Sequence, residues 1–394
     1  GKDKNYQDVS GCGNTIAANR GLVRKLIIES LKCWASELGV DGFRFDLGIA
    51  LSRGENLSPL DNPPIFEDIE CEPELIDIKF ISEPWDCGGL YKLGDFPSKN
   101  TFTWNGHFRD DLRRFWKGDK DTAWNMSDKI KGTPSIYKED NIFPKSINFI
   151  TSHDGFTLKD LVTFNRKHNF ANREQNRDGD NHNNSWNHGT EGPTTNLLIN
   201  DLRKRQQKNL ILSLLISKGV PMILMGDEIG RSQGGNNNSW CQNNLLGWMN
   251  WEHGQQDLEL LEYFKYVIKI RKKLINIFNP SFFPNNQNNE NIPTYHWHGT
   301  KLDSPDWSSW SHTVAFSINK DNNNPLVWIG LNAYSKSIDF PLPKCKYNWL
   351  KVIDTSMSEI FEPLTINEKS VSIKSRSSLL IISEEVFGAK NNLF

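Results

Sequence analysis

What is scarce in this chain narrows the field first. Its 394 residues carry 46 Lys and Arg against 48 Asp and Glu, a formal net charge of −2. With no excess of positive charge, neither a nucleic acid nor an anionic membrane is expected as a partner. Long apolar runs are missing too. The longest, Asn209 to Gly226 (NLILSLLISKGVPMILMG), is broken by Ser213, Lys218 and Pro221 and reads as a helix end followed by a buried strand. The six cysteines, Cys12, Cys33, Cys71, Cys87, Cys241 and Cys345, contain no CxxC pair. That favours free thiols in a reducing cytosol over disulfides or a zinc site. No secretory signal pattern opens the chain, and no EF-hand-like run supports a structural calcium, so no cofactor is expected. The chain begins on Gly1 rather than Met, and we expect further sequence before it. The residues leave the oligomeric state open.

Tryptophan, by contrast, is plentiful. There are 14, many set among Asn, Gly and Asp, as suits side chains that stack on sugar-like ligands. Along the chain, helix-period and strand-period segments alternate. Residues 21–39 space Leu22, Leu26, Ile27, Trp34 and Leu38 on one helical face, with Gly39 as a stop. Strands are expected at Val40–Leu47, Ile78–Trp85, Phe102–Phe108, Ser146–Asp154 and Val220–Glu228, with helices near Leu197–Lys218 and Gln255–Ile277. This alternation predicts a parallel sheet with right-handed crossovers. Two long polar connections, Asn165–Gly192 and Gly230–Asn244, read as ordered binding loops because tryptophans are embedded in them. From about Asn291 the texture changes to short alternating segments. The expected division is 1–290 for the α/β part and 291–394 for an antiparallel β-sandwich.

The segment Asp41–Gly48 (DGFRFDLG) places Phe43, Phe45 and Leu47 on one side of a strand and Arg44 and Asp46 on the other. Other expected strands also end in polar residues: Glu83 in SEPWD, His153 and Asp154 in TSHDG, and Asp227 with Glu228. In a parallel α/β barrel such ends converge on one face, where catalytic side chains gather. Paired carboxylates there suit glycoside hydrolysis, one acid protonating the leaving oxygen while another attacks the anomeric carbon. Arg44 would hold Asp46 ionised, and Glu83 would need a raised pKa to donate its proton.

At these residues the sequence resembles the α-amylase superfamily, glycoside hydrolase family 13. DGFRFDLG, SEPWD and TSHDG look like that family's second, third and fourth motif regions. GCGNT (Gly11–Thr15) and MGDEIGRSQGGNNNSWCQNN (Met225–Asn244) are similar to isoamylase-type and glycogen-debranching enzymes. The resemblance implies a retaining mechanism with Asp46 as nucleophile, Glu83 as acid/base and Asp154 as transition-state stabiliser. It also implies cleavage of α-1,6 branch links in glycogen, amylopectin or their limit dextrins. Arg44, His153, Trp85, Trp104, Trp186 and Trp240 are the expected substrate contacts, branched α-glucan is the expected partner, and no metal ligand is expected. The family's first motif, of Asp-Val-Val-x-Asn-His type, has no counterpart here. The expected fold is therefore the C-terminal part, about five of eight βα units, of a TIM (β/α)8 barrel followed by the β-sandwich. Such a piece is expected to be inactive or poorly folded alone. Competing readings are an α-1,4-active amylase or branching enzyme, and a non-catalytic glucan-binding subunit.

Overall fold

A computed structural model describes residues 6–137, 145–252, 254–278, 294–319, 324–360 and 362–387. They divide into two compact units, Gly1–Asn105 with Pro134–Asn148, and Gly106–Thr133 with Phe149–Phe394. The expected domain boundary at 290/291 lies outside the described residues.

The first unit opens with α1 (Gly21–Lys32) and proceeds through β1 (Gly42–Phe45), α2 (Pro64–Glu70), β2 (Lys79–Ser82), β3 (Thr101–Trp104) and, at its end, β4 (Ser146–Phe149), with α3 (Gly106–Lys117) and α4 (Ala123–Ile130) of the second unit inserted between β3 and β4. β1 pairs with β2, β2 with β3 and β3 with β4, every ladder parallel, as the alternation predicts. Aromatic residues make these short strands: Phe43 and Phe45 both stack on Phe80, with ring centroids 6.1 and 6.0 Å apart. Behind them lies a core of Leu31, Ile65, Phe66, Ile69, Leu75 and Phe80. Pro64 stands in the first turn of α2, where its missing N–H costs nothing.

One expectation fails here. The α-helix stops at Lys32 and a five-residue π turn, Cys33–Glu37, follows. Of Leu22, Leu26, Ile27, Trp34 and Leu38, expected to share one helical face, Ile27 packs on the core and the other four are exposed. Beside Ile27 the core side is Ile28 and Leu31. The helix carries apolar residues on more than one face, and spacing alone does not say which face meets a partner.

The second unit continues from α3 and α4 through α5 (Leu158–Leu161), α6 (Leu197–Ile216), β5 (Val220–Met222), α7 (Gln255–Lys273) and α8 (Ile275–Phe278). The expected strand over Phe102–Phe108 gives way at Gly106 to α3, and the Val220–Glu228 strand ends early at Met222. The C-terminal strands are β6 (Thr294–His298), β7 (Thr313–Asn319), β8 (Pro325–Asn332), β9 (Ile338–Pro341), β10 (Trp349–Asp354), β11 (Leu364–Ile366), β12 (Ser370–Ile373) and β13 (Ser377–Ser383). Six form an antiparallel sheet in the order β11-β10-β13-β8-β7-β6, and β12 pairs with β9. α6 joins this sheet by a buried polar seam. The Asn209 amide donates to the Arg376 carbonyl at 2.9 Å, and its oxygen accepts from Thr355 Oγ1 at 2.6 Å and Ser378 Oγ at 2.9 Å. Among the described residues no helix is long and apolar enough to cross a membrane.

Candidate active site

In the first unit, β1 ends at Phe45 and the chain turns sharply. Leu47 adopts a left-handed conformation (φ 43°), an uncommon and costly choice for a branched residue. The turn points the Leu47 N–H at Glu83 Oε2, 2.8 Å away. The following glycine is required by space: a Cβ on Gly48 would stand 2.0 Å from Ser82 Oγ and 2.8 Å from the Phe45 Cβ. Thus the turn after β1 is pressed against the end of β2, the strand that delivers Glu83.

Arg44 links the two strand ends. Its guanidinium contacts Glu83 Oε1 in a short ion pair and lies 3.4 Å from Asp46 Oδ1. Its carbon sits 4.4 Å from the centre of the Trp104 ring, at the end of β3. Trp104 is only 7% exposed, so its contribution there is to carry Arg44 rather than to offer an open face to a sugar. Arg44 was expected to serve Asp46 first; its tighter partner is Glu83. The two carboxylates differ sharply. Glu83 is buried, whereas the Asp46 side chain is 76% exposed.

Burial dominates the titration of Glu83 and pushes its pKa up to about 7. The Leu47 N–H and the Arg44 charge pull the other way, and neighbouring Asp46 adds to the upward push. The result is a carboxylic acid that still holds a proton near neutrality, beside an exposed aspartate. Behind Glu83, Trp85 pairs with Tyr91, ring centroids 5.8 Å apart. The loop carrying both is tied down by Asp86, which receives Arg53 Nε at 2.9 Å and the N–H groups of Gly88 and Leu90 at 2.9 and 3.0 Å. Sequence reasoning missed this brace and the Leu47 N–H. The aspartate at the end of SEPWD was the available signal for the first; nothing in residue type announces a left-handed leucine.

The second unit holds the remaining expected residues. His153 Nε2 lies 3.5 Å from Asp154 Oδ2, and both side chains are exposed. Their loop is anchored on both sides. Gly155 N–H donates to the Asn237 carbonyl at 2.9 Å. Asp227 accepts from the Thr151 hydroxyl and from Leu158 N–H, the latter at 2.9 Å. Burial pushes the Asp227 pKa up to about 7. Asp227 therefore braces the segment around Asp154 from below.

The asparagine-rich loops form an ordered network. Asn237, 2% exposed, donates to the Asp180 carbonyl at 2.7 Å and to Asn183 Oδ1 at 2.9 Å, while Asn169 Nδ2 donates to its oxygen at 2.8 Å. Asn172 and Asn236 are paired at 2.9 Å, and Lys167 Nζ is held by the carbonyls of residues 177, 178 and 179. A side-chain amide both donates and accepts, so it can close a buried network that few other residues could. Trp186 packs within this region, its ring covered by Arg376 at 4.3 Å and by His188 at 4.0 Å. Trp240 is 74% exposed. No group of three or more His, Cys, Asp or Glu among the described residues is placed to hold a metal ion.

Comparison with known proteins points to the group that the sequence motifs resemble. Residues 296–385 match the family described as isoamylase 1-3, C-terminal. Isoamylase 1, chloroplastic, of Oryza sativa subsp. japonica is 39% identical over 382 residues, covering 91% of this chain and 47% of that protein. The chain is related to the isoamylase type of the α-amylase superfamily. A glycogen operon protein GlgX homolog of Mycobacterium tuberculosis (strain CDC 1551 / Oshkosh) is 36% identical over 400 residues, 95% of this chain and 55% of that one. The chain thus spans about half the length of the curated relatives it matches. Among solved structures, pullulanase from Bacillus acidopullulyticus superposes with a TM-score of 0.68 at 21% identity, over 96% of this chain and 42% of that one. That likeness supports the combination of an α/β part with a parallel sheet and an antiparallel β part.

Proposed function

We propose that this isoamylase-type protein is a retaining glycoside hydrolase that cleaves α-1,6 branch linkages of glycogen, amylopectin or their limit dextrins. The observation that carries the proposal is the Arg44–Asp46–Glu83 cluster, in which a buried acid with a pKa near 7 stands beside an exposed aspartate. Glu83 donates its proton to the leaving glycosidic oxygen while the Asp46 carboxylate attacks the anomeric carbon, giving a covalent glycosyl intermediate. Once deprotonated, Glu83 takes a proton from water, which then releases the sugar from Asp46. Arg44 stabilises the carboxylate that Glu83 becomes, without desolvating it further.

Asp154 is assigned to stabilising the positively charged, sugar-like transition state, and His153 to donating a hydrogen bond to a sugar hydroxyl; both roles rest on the TSHDG resemblance. Of the four tryptophans expected to contact substrate, Trp85 and Trp240 are the ones with ring surface left for a sugar. The parallel strands are read as part of a (β/α)8 barrel whose other units belong to a longer protein, in keeping with the length of the relatives. Six unbridged thiols suit a reducing compartment, the cytosol in our reading.

Iodine staining tests the linkage. Debranching of amylopectin deepens the blue colour, whereas α-1,4 cleavage bleaches it. Bleaching would replace this proposal with the amylase alternative, and no change with wild-type full-length protein would favour a non-catalytic glucan-binding subunit.

A further inference from the structure

A second site of a different chemistry lies wholly within the second unit. A cavity of about 500 Å³ opens between α6, the start of α7 and the loop after β10, within the size range of small-molecule sites. Five basic side chains line it, against two carboxylates, Asp201 and Glu259. Among the described residues only one of the five, Lys204, is in an ion pair, at 3.6 Å from Glu259.

The other four form no ion pair among the described residues. Lys208 is only 9% exposed, and its ammonium meets the carbonyls of Met357 and Ser358, at 3.1 and 2.7 Å, and the face of Tyr263, 5.3 Å from the ring centre. Arg203 is likewise buried and spends its donors on backbone carbonyls, including those of Gly192 at 2.9 Å and Asn187 at 2.8 Å. Arg205 holds the Ser375 carbonyl at 3.1 Å. Carbonyl dipoles satisfy hydrogen bonds but do not cancel net charge, and buried cations without a paired anion are costly. Burial lowers the Lys208 pKa; Glu259 opposes that shift, while Lys204 and Arg205 add to it.

We propose that this cavity binds a phosphorylated sugar. The excess of cations over carboxylates supplies the electrostatic demand for a phosphate, and α6 brings Lys204 and Arg205 from one turn and Lys208 from the next to the cavity lining. The remainder of the lining is rich in small hydroxyl and amide groups, among them Thr194, Asn200, Ser356 and Ser358, which match the alternating donors and acceptors of a hexose. A nucleotide is disfavoured because the single aromatic on the lining, Phe164, is itself buried and offers no open platform for a base. The site is independent of the proposed α-1,6 activity, so either reading can fail without the other.

The test is calorimetric titration of the full-length protein with glucose 6-phosphate, glucose and inorganic phosphate in turn. Glucose 6-phosphate is expected to bind saturably and at least about tenfold more tightly than either component, since the ligand joins two sets of contacts. Lys159→Ala with Lys204→Ala, both outside the buried core, should weaken it by about tenfold or more while the circular dichroism spectrum and Tm stay unchanged. Absence of saturable binding, equal binding of inorganic phosphate alone, or affinity unchanged in the double variant would each overturn the proposal.

Discussion

Two buried carboxyl groups, one in each compact unit, are pushed up to about 7 by the same cause, yet their surroundings give them different work. Glu83 follows β2 and Asp227 lies beyond β5; both are almost fully buried, and both have each oxygen in a hydrogen bond or ion pair. Asp227 answers to local donors, Thr151 and Leu158, and the acid beside it, Glu228, is itself held by the N–H of Gly226 at 2.8 Å. Glu83 answers to an arginine that also reaches an exposed aspartate, and that aspartate acts on Glu83 in turn. A raised pKa marks burial first. The solvent-facing carboxylate beside Glu83 is what turns a buried acid into a candidate proton donor.

The comparison can be broken most severely at that neighbour. Asp46→Asn keeps the shape of the site and removes the attacking oxygen, so branch hydrolysis by the full-length protein should fall by roughly 10⁴-fold or more, measured as reducing ends released from amylopectin. A loss of tenfold or less would return Glu83 to the same standing as Asp227.

Stability against pH tests what the two acids share. The folded pKa of Glu83 is raised above the ordinary 4.5, so the native state holds its proton more tightly than the unfolded chain does. Below about 4.5 both states are protonated and nothing is lost; as pH rises towards 7 the native state pays a growing penalty, complete above 7. Glu83→Gln removes that penalty. The variant should match wild type near pH 4 and exceed it at pH 8 by up to roughly 3 kcal/mol, read by urea denaturation at each pH. Asp227→Asn should show the same rise relative to wild type between pH 4 and pH 8, since burial raises its folded pKa in the same way. A pH-independent difference in either variant would show that the carboxyl concerned is not buried in solution.

The smallest effect separates the two by charge. Arg44 lowers the Glu83 pKa, so Arg44→Met should move the alkaline limb of the pH–rate profile upward by about one unit. No movement would mean that the ion pair is not maintained in solution.

Much of the first cluster was legible in the chain. Arg44, Asp46 and Glu83 were identified from their positions at strand ends, because a period-2 pattern interrupted by charge is costly unless the charges meet. The partner order was not legible, since it depends on the left-handed turn at Leu47 and the close approach at Gly48. Trp104 shows the same limit, its residue type suiting a sugar platform and an arginine platform equally. For α1 the spacing located the helix but only one residue of its core side, as Ile27 and Leu31 pack while Leu22 and Leu26 are exposed. The asparagine loops were recognised as ordered, but the reason, a buried amide network centred on Asn237, becomes visible only when both loops are present in space.

The central claim is that Asp46 forms the covalent bond while Glu83 manages the proton. Incubation of the full-length protein with a slowly turned-over 2-deoxy-2-fluoro-maltosyl fluoride, followed by peptide mass spectrometry, tests it most directly. The account predicts one maltosyl adduct, on the peptide carrying Asp46 and lost in Asp46→Asn. An adduct on Glu83, on Asp154 or on no carboxylate during active turnover would contradict it.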